Sequence, residues 1–164
     1  MPIIVQVSTP AEIQQVQGLI REFTSWAFAS IEGSDQAPTF HGLEEELATL
    51  PGIYAPPTGC LLLASQDGKP AGCVALKAHD AATGELKRLY VRPGFRGSNI
   101  GKHLVDALID EARRLGYRRI VLDSHISMTR AHAIYRSAGF RDVNAPDGFP
   151  DDLKPVVVFM EMPV

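Results

Sequence analysis

Basic residues are almost missing from the first part of the chain: residues 1–58 hold one, Arg21, against seven acids, a balance of −6. Residues 59–164 carry fifteen bases and twelve acids. So acidic a stretch disfavours nucleic acid as a partner and would suit a cationic one. Cysteine is scarce too, and two thiols, Cys60 and Cys73, make no disulfide framework. They flank an Asp67-Gly68 hairpin turn whose register pairs residue numbers summing to 135, placing Cys60 opposite Ala75 and Cys73 opposite Leu62. Both read as reduced, structural residues.

Long hydrophobic runs are absent as well. The uncharged stretch Leu47 to Gln66 is broken by Pro51, Gly52, Pro56, Pro57 and Gly59, which excludes a spanning helix and leaves no case for a membrane partner. The start, MPIIVQV, has neither a basic segment nor a long apolar one, so a cytoplasmic location is expected. No repeat or linker interrupts the text, and 164 residues at 45% hydrophobic content suit one domain over residues 1–164. No serine lies in a nucleophile elbow, and His79, His103, His125 and His132 lack metal-ligand spacing. No metal is expected, and these histidines read as surface or loop residues.

What is present is a regular alternation of elements. Ile3 to Val7 alternates as a strand, and Thr9-Pro10-Ala11-Glu12 is a capping box with proline at the first helical position. Ile13, Val16, Ile20, Phe23 and Ala27 then keep helical spacing, and a short helix carries Leu43, Leu47 and Leu50 up to Pro51-Gly52. Trp26, Phe28 and Phe40 near these helices read as core. Strands follow at Cys60–Ser65, Ala71–Lys77 and Glu85–Val91, then a helix with Ile100, Leu104, Val105, Leu108, Ala112 and Leu115 on one face, closed by Gly116. Arg119–Asp123 is a strand, Met128–Ala138 a helix stopped by Gly139, and Val156–Glu161 a last strand. The order predicts an α/β (α+β) fold: a mixed, mostly antiparallel sheet with helices on both faces. Residues 85–123 form a parallel pair with a right-handed crossover.

Residues 91–104, VRPGFRGSNIGKHL, place glycines and bases ahead of an apolar helix. Within 85–102, Glu85 stands alone against Lys87, Arg88, Arg92, Arg96 and Lys102, a local balance of +4. Gly94, Gly97 and Gly101 would let backbone N–H groups approach an anion at the helix N-terminus. A dinucleotide fingerprint does not occur there, and the nucleoside-triphosphate loop is one residue short, with His103 in place of the magnesium-binding hydroxyl.

A third pattern fits. Arg96-Gly97-Ser98-Asn99-Ile100-Gly101, preceded by Leu89-Tyr90-Val91-Arg92-Pro93, resembles the coenzyme A loop of the GNAT superfamily of N-acyltransferases. Ala131 to Phe140, AHAIYRSAGF, is similar to the family's A-x-x-L-Y-x-x-x-G-F segment, and the two motifs stand in the family's order. Two positions depart from it. Asn99 replaces the central glycine, although asparagine tolerates the left-handed region, and Met128 stands where many members have asparagine.

The resemblance implies a GNAT-like fold and acetyl-CoA as acyl donor. Pyrophosphate would lie on Arg96, Gly97, Ser98, Asn99, Ile100, Gly101 and Lys102. Pantetheine would lie along Leu89, Tyr90 and Val91, with N–H groups near Val91 polarising the thioester. It also places the acceptor groove by the first two helices. Acylating an amine of pKa ~10.4 at neutral pH requires a base, and departure of the thiolate requires a donor. The resemblance offers Glu85 as base, alternatively a strand-end glutamate paired with Lys87, and Tyr135 as acid, alternatively a core tyrosine. The expected activity is direct transfer of acetyl, in a ternary complex, to a primary amine, cationic by the charge argument: a small molecule or a peptide lysine. A catalytically idle acyl-CoA-binding or regulatory module is the alternative, a nucleotide-binding protein a distant third. A homodimer is left open.

Overall fold

The computed structural model describes residues 1–164. Seven strands form one sheet: β1 (Ile3–Gln6), β2 (Cys60–Gln66), β3 (Lys69–Ala78), β4 (Thr83–Val91), β5 (Arg119–His125), β6 (Arg141–Val143) and β7 (Val157–Pro163), in the order β1-β2-β3-β4-β5-β7-β6. Only β4 and β5 pair in parallel; every other neighbour is antiparallel. The helices are α1 (Pro10–Ser30), α2 (Leu43–Ala48), α3 (Ile100–Arg114) and α4 (Thr129–Ala138).

Local chemistry sets the boundaries. Thr9 Oγ1 accepts from the Glu12 N–H (3.2 Å) while the Glu12 carboxylate accepts from the Thr9 N–H (3.0 Å), so the capping box closes and α1 begins at Pro10. The mostly antiparallel mixed sheet is covered on both faces. On one side Val16, Leu19 and Ile20 of α1 and Leu47 of α2 pack on Leu61, Leu63, Cys73, Ala75 and Tyr90. On the other, Ile100, Leu104, Val105 and Leu108 of α3 and Tyr135 of α4 pack on Leu62, Val74, Leu86, Ile120 and Met160.

The hairpin register departs from expectation. Gln66 pairs with Lys69 and Ser65 with Pro70, as the turn dictates, but a bulge between Ala64 and Ser65 shifts the rest by one, so Cys60 faces Leu76 and Cys73 faces Leu63. An extra residue in one strand moves every later partner by one position. Other expectations also fail: Trp26 and Phe28 are exposed (46% and 42%), whereas His132 is buried inside α4, where its Nε2 meets Ser124 Oγ at 2.9 Å. Leu50 is buried, but in the turn beyond α2 rather than within it.

A second irregularity positions the site. Between Cys73↔Tyr90 and Ala75↔Lys87 the β3–β4 register slips, and Arg88 takes φ 61, a left-handed conformation unusual for a long side chain. Lys87 and Arg88 consequently both face the α1 side. Arg88 is buried, paired with Glu46 of α2 at 2.9 Å, bonded to the Thr39 carbonyl at 2.6 Å and lying 5.2 Å above the Phe40 ring. Those bonds tie the α2 region to the bulge.

Candidate active site

Beyond β4 the chain turns through Pro93–Phe95 and enters α3 by way of Asn99, whose φ of 62 and ψ of 18 are left-handed; Gly97 has φ 91. Arg96 Nε donates to the Val91 carbonyl (3.1 Å) and Ser98 Oγ to the Phe95 carbonyl (2.6 Å), which curls the loop over the strand end. His103 grips the Asn99 carbonyl through its backbone N–H (3.0 Å) and has its Nδ1 2.8 Å from it. None of the backbone N–H groups of residues 97–102 donates to a backbone carbonyl. Six consecutive free donors stand at the N-terminus of a long helix, an amide cradle of the kind that suits an anion.

Electrostatics revise the sequence count. Of the five bases in 85–102, four have carboxylate partners: Lys87 with Glu85, Arg88 with Glu46, Arg92 with Glu22 and Lys102 with Asp106. Arg96 alone has none, so an anion approaching here would meet the amides and one unpaired guanidinium rather than a +4 field. The same pairs, with Arg21–Glu44 and the capping role of Glu12, engage four of the seven acids of residues 1–58.

Next to the cradle the sheet opens. Strands β4 and β5 pair only over Thr83–Glu85 and Arg119–Val121; from Leu122 onward β5 pairs with β7 alone. The diverging strands leave a gap that joins the α4 side of the sheet to the α1 side. A cavity of about 440 Å³ runs through it, lined by Leu86, Leu89, Ser124, Met128, Ala131 and Tyr135 toward α4 and by Glu85, Lys87, Asp123, His125, Phe23 and Phe40 toward α1.

Each expected site residue finds a place relative to this gap. Tyr135 is buried, its ring edge-on to Phe140 (5.7 Å, 60°); burial, and secondarily the charge of Asp123, push its phenol well above the usual range, so it stays protonated at physiological pH. Glu85 has a side chain only 14% exposed, facing Lys77 (4.0 Å), His79 (3.8 Å) and Lys87 (3.8 Å). Burial lowers the Lys87 ammonium, with the Glu85 charge opposing. Leu89 lines the gap, but the side chain of Tyr90 turns away, stacked on Phe23 (5.7 Å) with its hydroxyl 3.4 Å from Glu22; only its backbone belongs to the site. Ile100 is core, and a Cβ on Gly101 would lie 2.7 Å from Ile134 Cδ1, so that glycine serves helix packing as well as the cradle.

Asp123 was not among the expected residues. It is open to the water of the cavity yet enclosed by protein on its other sides, and this desolvation pushes its carboxyl upward against the opposing charge of Lys87. Only the strand-end position of Asp123-Ser124-His125 hinted at it. No group of three His, Cys, Asp or Glu side chains gathers to hold a metal, and no helix is long and apolar enough to cross a membrane.

The model of the acetyltransferase (GNAT) family matches residues 20–140. An uncharacterized N-acetyltransferase of Schizosaccharomyces pombe is 33% identical over 137 residues, 82% of this chain and 80% of that protein. IAA acetyltransferase of Azospirillum brasilense is 36% identical over 104 residues, 63% of this chain and 67% of the relative. Mouse N-acetylaspartate synthetase is 35% identical over 109 residues, 65% of this chain but only 36% of the synthetase. In fold, the PaiA N-acetyltransferase of Thermoplasma acidophilum, solved in complex with coenzyme A, superposes with a TM-score of 0.77 at 20% identity over 100% of this chain and 99% of its own. Cradle, split sheet and family match together identify the chain as a member of the GNAT acetyltransferase family, an acyltransferase whose co-substrate is acetyl-CoA.

Proposed function

We propose that the protein transfers the acetyl group of acetyl-CoA directly to a primary amine in a ternary complex. One observation carries this reading: β4, which parts from β5 beyond Glu85 and lines a gap open to both faces of the sheet as far as Leu89, runs on into the loop and helix N-terminus where the amides of residues 97–102 stand free. Bound there, acetyl-CoA supplies an acyl group already activated as a thioester. Arg96 and residues Gly97, Ser98, Asn99, Ile100, Gly101 and Lys102 hold the diphosphate, and the edge of β4 from Leu89 through Tyr90 to Val91 offers backbone bonds to the pantetheine arm. Free N–H groups on that edge polarise the carbonyl. The amine enters from the α1 side, so its base belongs on that face, where the carboxylates of Glu85 and Asp123 both line the cavity. Tyr135 is on the opposite side. Its phenol holds its proton more tightly than an ordinary thiol does, so it stabilises the departing sulfur as a hydrogen-bond donor.

For the acceptor, Glu32 and Asp123 of the cavity lining have no ion-pair partner while Lys87 and Arg88 are both paired, which supports a cationic amine. Because one relative is named for an acetylated amino acid, free amino acids belong in any test. Amine-dependent thiol release from acetyl-CoA across polyamines, lysine peptides and amino acids is the deciding assay. An idle binding module would bind acetyl-CoA and release nothing. Release only with neutral or acidic amines would overturn the cationic assignment.

A further inference from the structure

The acceptor side of the gap holds two carboxylates, and they stand in different company. Both oxygens of Glu85 already have basic side chains nearby: Oε1 lies 4.0 Å from Lys77 and 3.8 Å from the His79 ring, and Oε2 lies 3.8 Å from Lys87. Asp123 has no ion pair within 4.0 Å and accepts no hydrogen bond; only desolvation and charges farther away act on it. Val121 is the register partner of Glu85, and Asp123 lies two residues beyond it on the same face, past the last paired position, where β5 has left β4. Asp123 therefore lines the open gap, whereas Glu85 stands at its closed vertex.

We propose that Asp123 is the general base of the transfer, and that Glu85 is a positioning residue that holds Lys77, His79 and Lys87 in place. This rests on the acetyltransferase reading. The ammonium of the acceptor gives one proton to the Asp123 carboxylate, and the freed lone pair attacks the acetyl carbon. The C–N bond forms and the C–S bond breaks, its electron pair staying on sulfur under the hydrogen bond from Tyr135. The surplus N–H proton of the new amide passes to that sulfur, and Asp123 returns its own to water. The charges acting on Asp123 are those of Lys87, Glu85 and Arg88 from β4 and Lys77 from β3; Tyr135 of α4 lies across the gap, and His125 of its own strand and Glu32 beyond α1 line the same cavity.

The test compares kcat/KM against pH for wild type, Asp123→Asn and Glu85→Gln, beside a carbon-13 titration of aspartate-labelled wild-type protein. Asp123→Asn should lose ~10²-fold or more near neutral pH and recover as the amine's own pKa is approached, while still binding acetyl-CoA in calorimetry. Glu85→Gln should lose less than about tenfold and keep the wild-type pH profile. The Asp123 carboxyl, identified by its absence from the Asp123→Asn spectrum, should titrate above ~3.9, the ordinary value. The carbon-13 titration needs no variant to remain active. A wild-type profile for Asp123→Asn, a pH-rescued collapse in Glu85→Gln, or an ordinary Asp123 titration would each overturn the assignment. If the wild type releases thiol with no amine, the acetyltransferase reading fails instead, and the titration alone still reports on Asp123.

Discussion

Asn99 shows how one residue's conformational range decides a loop. At φ 62 an asparagine is tolerated, a glycine is at ease and a β-branched residue is strained. Asn99→Gly should therefore match or improve acetyl-CoA affinity in calorimetry, and Asn99→Val should weaken it; equal affinities would remove the left-handed requirement. Gly97 and Gly101 should fail differently. Gly97→Ala has open space but a φ of 91, and should lose ~1–2 kcal/mol to backbone strain alone. In Gly101→Ala, where φ is ordinary, the new methyl meets only Ile134 Cδ1, the far end of a flexible side chain that can turn aside, so the loss should stay at ~1 kcal/mol and come from packing rather than backbone strain. Urea midpoints beside acetyl-CoA affinity and kcat separate the two. Burial pushes Cys60 and Cys73 up to about 12, so neither thiol should react with a thiol reagent near neutral pH until the protein is unfolded. At this scale the sequence was readable where chemistry is local, as in the Thr9–Glu12 box and the left-handed Asn99. It was misleading about charge, because Arg88 and Arg92 find partners 42 and 70 positions away, which no local count reveals.

Strands and helices were legible through their periods, and their ends through prolines, glycines and caps. What periodicity does not disclose is an inserted residue. The bulge at Ala64/Ser65 moved Cys60 from Ala75 to Leu76, and the slip at Arg88 placed two consecutive basic residues on one face. The first leaves only a faint trace, Gly72 beside its extra residue Ala71, and the second has no glycine at all. The Arg88–Glu46 pair is the device that holds the second one, its side chains 3% and 10% exposed. Removing one member of a buried pair strands the other charge, so Glu46→Leu should destabilise by ~3–5 kcal/mol, and Arg88→Met added to it should recover much of the loss. Urea denaturation of the single and double variants checks this; an additive double variant would mean that the pair contributes nothing as a pair. His132 belongs to the same lesson: its partner, Ser124, comes from β5, and only the fold shows that α4 buries it.

For the molecule as a whole, element order and two short motifs predicted the mixed sheet with helices on both faces, and the family match agrees with them. The gap between β4 and β5 was not legible, since it arises from a parallel pair that stops after Glu85 and Val121, a matter of sheet geometry rather than residue type. For that reason no residue pattern marks Asp123 out. Division of labour across the sheet gives a further expectation: Tyr135→Phe, which keeps the ring and removes the donor, should leave acetyl-CoA affinity intact while lowering kcat at every pH, since no titration of the amine replaces a hydrogen bond to sulfur. The central claim, that cradle and gap together perform acetyl transfer, is tested most directly by following thiol release from acetyl-CoA with the amine panel while mass spectrometry monitors the amine. The expected result is release that requires an amine, matched mole for mole by its N-acetylated product. Tight acetyl-CoA binding with no amine-dependent release would contradict it.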